Sequence, residues 1–514
     1  MRTASTDLFH LVQSMTDAEK KFFRGYIRQF QEGKVAKSMQ LFNLVCKQEI
    51  YDEPLLKASM KPQLTDNQFA VCKHYLYQTL LKALSAYLGD QGAMMEVRQQ
   101  LRVVEVLYHK ELLGQCEKVL ARALELAEEC GHPLLLAEVL EWQGRIWNKQ
   151  QFEGVTPPML QSFYSQLETG AEKIGQYETM NQLHTRFMYL IRTQGFLRTP
   201  EEAQKELAEV LGHPALKAPQ EGFVTKAIYH HIWSIYHLMV GNPEQALFHL
   251  RTLVMESNVS PKMYYDYFEF FVSIQYNFGI ACLMVDKYPE VLLAIQKLEG
   301  LQAAFVAQKA RIFHCLILLR IEYNMGTCQF KEALKVSVEG AEELPRHLKH
   351  LSANEHMAIA FTLAFNFFTH GQYQTCKRIL LQHLTPSRLP GNSDIQVLVE
   401  VLRLLVYFEL KEDDLFVQAC RSLYRYVNKH RPRYLIESHL LQAIRRYPLG
   451  AEPKVIQAFF QGLYEEMVQL ASDPLGKRTL QTARLDFWVK SKAQGIPMTE
   501  VIRAHQATTT SGGN

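Results

Sequence analysis

No stretch of this chain stays apolar long enough to span a membrane as a helix. The most apolar segments, such as Cys315-Leu316-Ile317-Leu318-Leu319, are cut off by charge well short of about eighteen residues. The start, Met1-Arg2-Thr3-Ala4-Ser5-Thr6-Asp7, lacks the apolar core of a secretory signal. Cysteines at metal or redox spacing are missing too. The nine present (46, 72, 116, 130, 282, 315, 328, 376 and 420) are odd in number, with no C-x-x-C pair. Most sit inside helical apolar patterns, where a thiol behaves as a small hydrophobe, which fits a reducing compartment. An excess of charge is absent as well: 56 basic against 53 acidic residues leave a net +3, which implies no general coat for nucleic acid or anionic lipid. There is no G-x-x-x-x-G-K-[ST] phosphate loop, no G-x-G-x-x-G turn, no G-x-S-x-G elbow and no H-E-x-x-H pair. The expectation is a soluble cytoplasmic protein with no catalytic residues, no cofactor and no metal.

What is present is a helical hairpin. Residues 229–240 form an apolar run about three turns long, and Gly241 stops it in the left-handed geometry that ends helices. Asn242 can cap the next helix, and Pro243 suits its first position. Ala246, Leu247, Leu250 and Leu253 then lay an apolar stripe at helical spacing. One hairpin cannot bury its own stripe, so it needs neighbours of the same kind.

The chain provides them. Aligning the starts of second helices marks Cys116, Met159, Pro200, Pro243, Tyr288, Phe330, Tyr373 and Phe416, with gaps of 43, 41, 43, 45, 42, 43 and 43 residues. Three residues further on come Val119, Ser162, Ala203, Ala246, Val291, Ala333, Cys376 and Ala419, all small or β-branched, which lets two helices cross closely. Gly114-Gln115, Gly241-Asn242, Asp286-Lys287 and Gly371-Gln372 read as turns. Such a repeat predicts an all-α, right-handed superhelical solenoid of about eight antiparallel hairpins, with a period near 43 residues. Its expected parts are an N-terminal helical cap or module over 1–92, the solenoid over 93–440, capping helices over 441–506 and a disordered tail over 507–514. Capping pairs at Thr16 with Glu19 and Thr65 with Gln68 open helices in the first part.

The wording of the repeats resembles the tetratricopeptide family. It does so at Tyr276-Asn277-Phe278-Gly279 with Asp286 to Leu292, at Phe330-Lys331-Glu332-Ala333-Leu334, and at Gly371-Gln372-Tyr373 with Cys376. In that family a small residue recurs in the first helix; Ser234, Gly279 and Ala364 match that place, while Ile321 and Tyr407 depart from it. The resemblance covers roughly residues 95 to 430, though the period exceeds the family's usual length. The N-terminal wording, from Leu8-Phe9-His10 to Tyr75-Leu76-Tyr77, also looks like that of uncharacterised bacterial proteins with tetratricopeptide-like helices. That likeness implies a bacterial cytoplasmic protein and brings no activity. The family's first helices line a concave groove. The resemblance therefore points to His231, Ile235 and Leu238, to Tyr276, Ile280 and Leu283, and to Phe361, Phe365 and Phe368 as partner-binding residues. The family's lysine and asparagine clamp for carboxylates is missing there, which favours an apolar or aromatic segment as ligand.

Two further features bear on function. His347, His350 and His356 with Glu355 come nearest to metal spacing, but Arg346 and Lys349 lie among them and oppose a cation. Between Arg421 and Arg446 stand Arg421, Arg425, Lys429, Arg431, Arg433, Arg445 and Arg446 against a single acid, Glu437, with tyrosines interleaved. Such a patch can grip phosphates, meet an acidic protein surface, or stay solvated. The expected function is a non-catalytic scaffold that holds a protein or peptide segment in the groove. The alternatives are a regulator whose first ninety residues touch DNA, and a nucleic-acid binder using the basic patch. Nothing in the residues indicates a membrane partner, and oligomeric state is not written in them.

Overall fold

Helix is the only regular structure among the described residues, as the stripes and caps dictate. The computed structural model describes residues 6–29, 32–61, 64–88, 92–194, 201–217, 221–256, 265–385, 394–429, 435–448, 451–470 and 484–511. Its chain divides into two compact units, one of Met1–Gly175 with Val259–Glu269 and Gln302–Lys309, the other of Gln176–Asn258, Phe270–Leu301 and Ala310–Asn514.

The first unit holds α1 (Asp7–Ser14), α2 (Asp17–Tyr26), α3 (Glu32–Cys46), α4 (Glu53–Met60), α5 (Asp66–Leu88), α6 (Ala93–His109), α7 (Leu113–Cys130) and α8 (Pro133–Lys149). Both expected caps form. Glu19 N donates to Thr16 Oγ1 at 3.3 Å while Glu19 Oε2 accepts from Thr16 N at 2.6 Å. Thr65 N likewise donates to Gln68 Oε1 at 3.0 Å. Helices α1 to α5 close around Val12, Phe23, Ile27, Phe42, Leu76 and Leu80, with the Phe23 and Phe42 rings 4.7 Å apart. A cap of a different kind holds α6. Asp266, far along the chain, accepts from Met94 N at 2.8 Å, occupying the helix start where an anion is favoured.

The helix α9 (Pro157–Gln194) begins in the first unit and ends in the second, the division falling inside it. The repeat alignment expects a turn in this span, and there is none. Residues 158 to 194 contain one proline, Pro158, in the first turn, so nothing removes an interior hydrogen bond. Gly170 and Gly175 each cost only about 0.5–1 kcal/mol relative to alanine, too little to stop a helix already nucleated. The mark at Met159 therefore lies in the first turn of an uninterrupted helix, and Pro200 lies outside the described residues.

The second unit continues with α10 (Glu201–Leu211), α11 (Phe223–Met239), α12 (Pro243–Glu256), α13 (Phe268–Met284), α14 (Tyr288–Glu299), α15 (Val306–Gly326), α16 (Phe330–His347), α17 (Ala353–Thr369) and α18 (Tyr373–His383). Then follow α19 (Asp394–Leu410), α20 (Asp413–Lys429), α21 (Leu435–Ile444), α22 (Pro453–Leu470), α23 (Leu485–Gln494) and α24 (Met498–Ser511). One turn recurs through it. Gly241, Asp286, Cys328, Gly371 and Lys411 take φ of 71, 55, 58, 70 and 56°. The next residue's N–H then reaches back five residues, as from Asn242 to His237 O (2.9 Å), Gln329 to Asn324 O (2.7 Å) and Gln372 to Phe367 O (2.9 Å). This left-handed stop satisfies carbonyls that the helix end would leave bare. Glu111 and Leu112 make the same turn in the first unit, with φ 61° and a 3.0 Å bond to Leu107 O.

These turns move two of the alignment marks. The second helices start at Leu113 and Asp413, three residues before Cys116 and Phe416. The buried small residue at the crossing is thus Cys116 rather than Val119, in the place of Ala246, Val291, Ala333 and Cys376, all of them 0% exposed. In α20 that place holds Phe416, packed against Phe408 at 5.8 Å. The first-helix match shifts likewise from Tyr407 to the buried Leu404. At the C-terminus, helix extends through Ser511 where a disordered tail from 507 is expected, because each added residue extends an existing ladder by one bond. No described helix is long and apolar enough to cross a membrane.

Candidate interaction surfaces

Counted back from each left-handed turn residue, the nine groove residues occupy equivalent places on three helices. His231, Tyr276 and Phe361 share one place, Ile235, Ile280 and Phe365 the next, and Leu238, Leu283 and Phe368 the third. Seven of the nine are half-buried. His231 and Phe368 are not available. Phe368 is 2% exposed and packs on Tyr373 at 5.3 Å, and His231 is 5% exposed. The His231 ring is closed in by the helices around it. Its Nδ1 lies 3.0 Å from His184 Nε2 of α9, its Nε2 lies 3.5 Å from Ser273 Oγ of α13, and Phe270 stands edge-on at 5.2 Å. Burial, with the His184 and Arg192 charges adding to it, holds this imidazole down at about 3.

The other histidines of α11 also serve packing. His230 Nδ1 meets His249 Nδ1 at 2.9 Å, and Trp233 stacks over His237 with centroids 5.7 Å apart. Burial pushes His249 down to about 4. On α17, Phe361, Phe365 and Phe368 stack in sequence at 6.0 and 6.3 Å, so two half-exposed rings stand on one anchored in the core. The middle place on α15 is a charged one that motif reading passed over, Glu322, whose carboxylate takes the Arg484 guanidinium at 2.6 Å.

The metal-spaced histidines disperse. His347 stacks on Phe313 at 4.4 Å, His356 pairs with His383 at 3.1 Å, and Glu355 closes a capping box with Ser352 and pairs with Arg311. Among the described residues no three histidine, cysteine or carboxylate groups gather as metal donors. At the start of α13 Phe268 and Phe271 are buried, and just before it Tyr265 lies 6.2 Å from Phe305.

The basic patch is partly drawn together. Arg421 and Arg425 are exposed on α20, and Arg445 and Arg446 are exposed just past α21. The Arg445 guanidinium lies 4.7 Å over the Tyr424 ring, tying the two helices. Lys429 ends α20, while Arg431 and Arg433 lie outside the described residues.

Comparison with protein-family models, with curated proteins and with solved structures gives no match. The surfaces therefore stand on their own geometry.

The side chains that sequence reading missed are at the C-terminus. Trp488 Nε1 donates to Glu409 Oε1 at 2.7 Å, and Lys492 Nζ reaches the same carboxylate at 2.6 Å. The charge of the same carboxylate adds to burial in pushing the Tyr373 phenol up. Arg484, Trp488 and Lys492 are spaced four apart, which puts them on one helix face, and this spacing was the available signal.

Proposed function

We propose that the chain is a non-catalytic scaffold whose hairpins stack as a right-handed, tetratricopeptide-like solenoid and hold a protein or peptide segment along their first helices. The recurrent turn at 241, 286, 328, 371 and 411 carries this reading, because identical turns give successive first helices the same register. That register sets Ile235, Ile280 and Phe365 in like positions, with Leu238 and Leu283 sharing the next place and Phe361 one turn before Phe365, all half-exposed, as a docking strip needs. Large apolar side chains partly exposed in a row favour an amphipathic helix or an extended apolar segment over a charged ligand. The six hairpins among the described residues are α6–α7, α11–α12, α13–α14, α15–α16, α17–α18 and α19–α20. Affinity purification of the tagged full chain from its native lysate, with and without nuclease, tests the reading. Proteins retained after nuclease support it, and retention of nucleic acid alone contradicts it.

A second reading has one observation in its favour, the exposed Arg421, Arg425, Arg445 and Arg446 with Tyr424 among them. A nucleic-acid surface there would give a binding constant that falls steeply with salt. Replacing Arg421, Arg425 and Arg445 by alanine would then flatten that slope by about one for each phosphate no longer neutralised.

A further inference from the structure

Nitrogen-to-nitrogen contacts between imidazoles join helices of the second unit at His184–His231, His230–His249 and His356–His383. The first of these belongs to a polar chain across three helices. His184 Nε2 of α9 lies 3.0 Å from His231 Nδ1 of α11, and His231 Nε2 lies 3.5 Å from Ser273 Oγ of α13. His231 is 5% exposed and His184 is half-buried. Around the pair stand Phe270 of α13, edge-on to His231, and Ser234 of α11, whose hydroxyl donates to the His231 carbonyl at 2.9 Å. Among the described residues the charge that acts on both rings is that of Arg192 on α9, and no carboxylate offsets it.

A neutral imidazole carries one N–H and one bare nitrogen, so two neutral rings satisfy the 3.0 Å contact with one donating and the other accepting. Ser273 completes it either way, its hydroxyl giving or taking a hydrogen bond at His231 Nε2. A first added proton leaves the contact whole. It sits on the half-buried His184, whose Nε2–H then donates to His231 Nδ1, and the His231 ring proton faces Ser273 from Nε2. A second proton has one place to go, His231 Nδ1, the atom that was accepting. Two N–H groups and two cations then face each other at 3.0 Å in a site closed to water, with Arg192 adding its charge. That state cannot keep the contact. In line with this, burial together with Arg192 holds both rings below the ordinary histidine range.

We propose that the chain His184–His231–Ser273 is an acid-operated latch, which holds the end of α9 on α11 while the pair carries at most one added proton and releases it when a second arrives. The rest of the hold is apolar, Met180, Leu183, Phe187 and Leu190 packing in the cluster of Ile232 and Met239. The opposite face of α9, with Thr185, Arg186, Tyr189 and Arg192, is exposed. Its ion pair there, Arg186 with Glu209 at 3.3 Å, is screened by solvent and adds little. The end of α9 is therefore backed by water, and repulsion at the buried rings can lift it locally without unfolding the hairpins that follow. The latch concerns how α9 is held rather than what the chain binds, so it stands or falls apart from the scaffold reading.

Hydrogen exchange of the unchanged full chain between pH 7 and 5, corrected for the intrinsic pH dependence of exchange, reads the latch. The reference is α19, which carries no histidine. Protection of residues 180–190 should fall at least tenfold and that of α19 less than threefold, because opening takes up protons that the closed pair refuses. An equal fall in both helices, or none in α9, overturns the proposal. His184→Phe with His231→Phe should bring the fall in α9 below threefold, and a fall as large as in the unchanged chain overturns it. Nuclear magnetic resonance of the unchanged protein with nitrogen-15-labelled histidine needs no variant. His184 should protonate first, while the His231 ring keeps its neutral signals and α9 stays protected. A protonated His231 with α9 still protected overturns the two-proton release.

Discussion

Glu409 Oε1 accepts the indole N–H of Trp488 at 2.7 Å, a link across 79 residues that fixes α23 to the end of α19. The same carboxylate carries Lys492, so one acid, its side chain 9% exposed, is satisfied by two donors. A buried charge with this many partners is stable in place and costly to strip of one.

Trp488→Ala should therefore lower the unfolding free energy by about 3–5 kcal/mol, through the lost ring and an under-satisfied Glu409. Urea titration followed by circular dichroism measures it. A loss below about 1 kcal/mol would mean the indole is not in the core.

Replacing Glu111 or Lys411 by glycine should raise stability, contrary to the usual cost of glycine. Both residues hold φ near 60°, a conformation that costs an L side chain about 1–2 kcal/mol, partly offset by the freedom glycine adds to the unfolded chain. The net gain should be about 0.5–1 kcal/mol, read as a higher melting temperature. A fall would mean that the turn differs from the left-handed stop.

The buried imidazoles make the second unit acid-sensitive. His231 and His249 are held at about 3 and about 4 when folded, below the ordinary histidine value, so the unfolded chain binds more protons as pH drops. Their contribution is complete above about pH 7 and is lost progressively as pH falls below about 6.5 toward those folded values. Each tenfold of proton affinity lost on folding corresponds to about 1.4 kcal/mol, so the loss by pH 4 should reach a few kcal/mol. His231→Phe with His249→Phe should flatten the dependence of melting temperature on pH between 7 and 4. An unchanged slope in the variant would place the acid sensitivity elsewhere.

Gly326→Ala tests the seat of Tyr288. A Cβ at residue 326 would fall 2.5 Å from Tyr288 Cε1 and 2.9 Å from Cζ, so the ring must move. The expected loss is about 1–3 kcal/mol, read by urea titration, and an unchanged unfolding free energy would mean that the ring does not sit against residue 326.

The sequence made the hairpins legible where chain chemistry is local. Gly241, Asn242 and Pro243 announce a stop, a cap and a start, and the structure turns there, Gln245 N reaching Asn242 Oδ1 at 3.4 Å. The same logic misplaced the turn before α7. Gly114 drew the assignment, but Glu111 takes the left-handed place and Gly114 lies inside the helix, because the register of the buried stripe outweighed glycine's preference. The alternation of helix and turn could not reveal α9 as a single helix, since its interior lacks any strong breaker. Of the residues expected in a groove from register alone, His231 and Phe368 are closed off by neighbours that no local pattern names. Glu322, Glu409 and Trp488 were invisible as a group for the same reason. Their contacts join residues 79 to 162 apart, and only folding brings them together.

The most direct test of the scaffold claim compares the unchanged chain with Ile235→Asp, Ile280→Asp as bait in nuclease-treated lysate, with circular dichroism to show that both are folded. The account predicts that proteins retained by the unchanged chain fall at least tenfold in the variant. Equal retention by the two folded chains would contradict it and remove the first-helix strip as the binding surface.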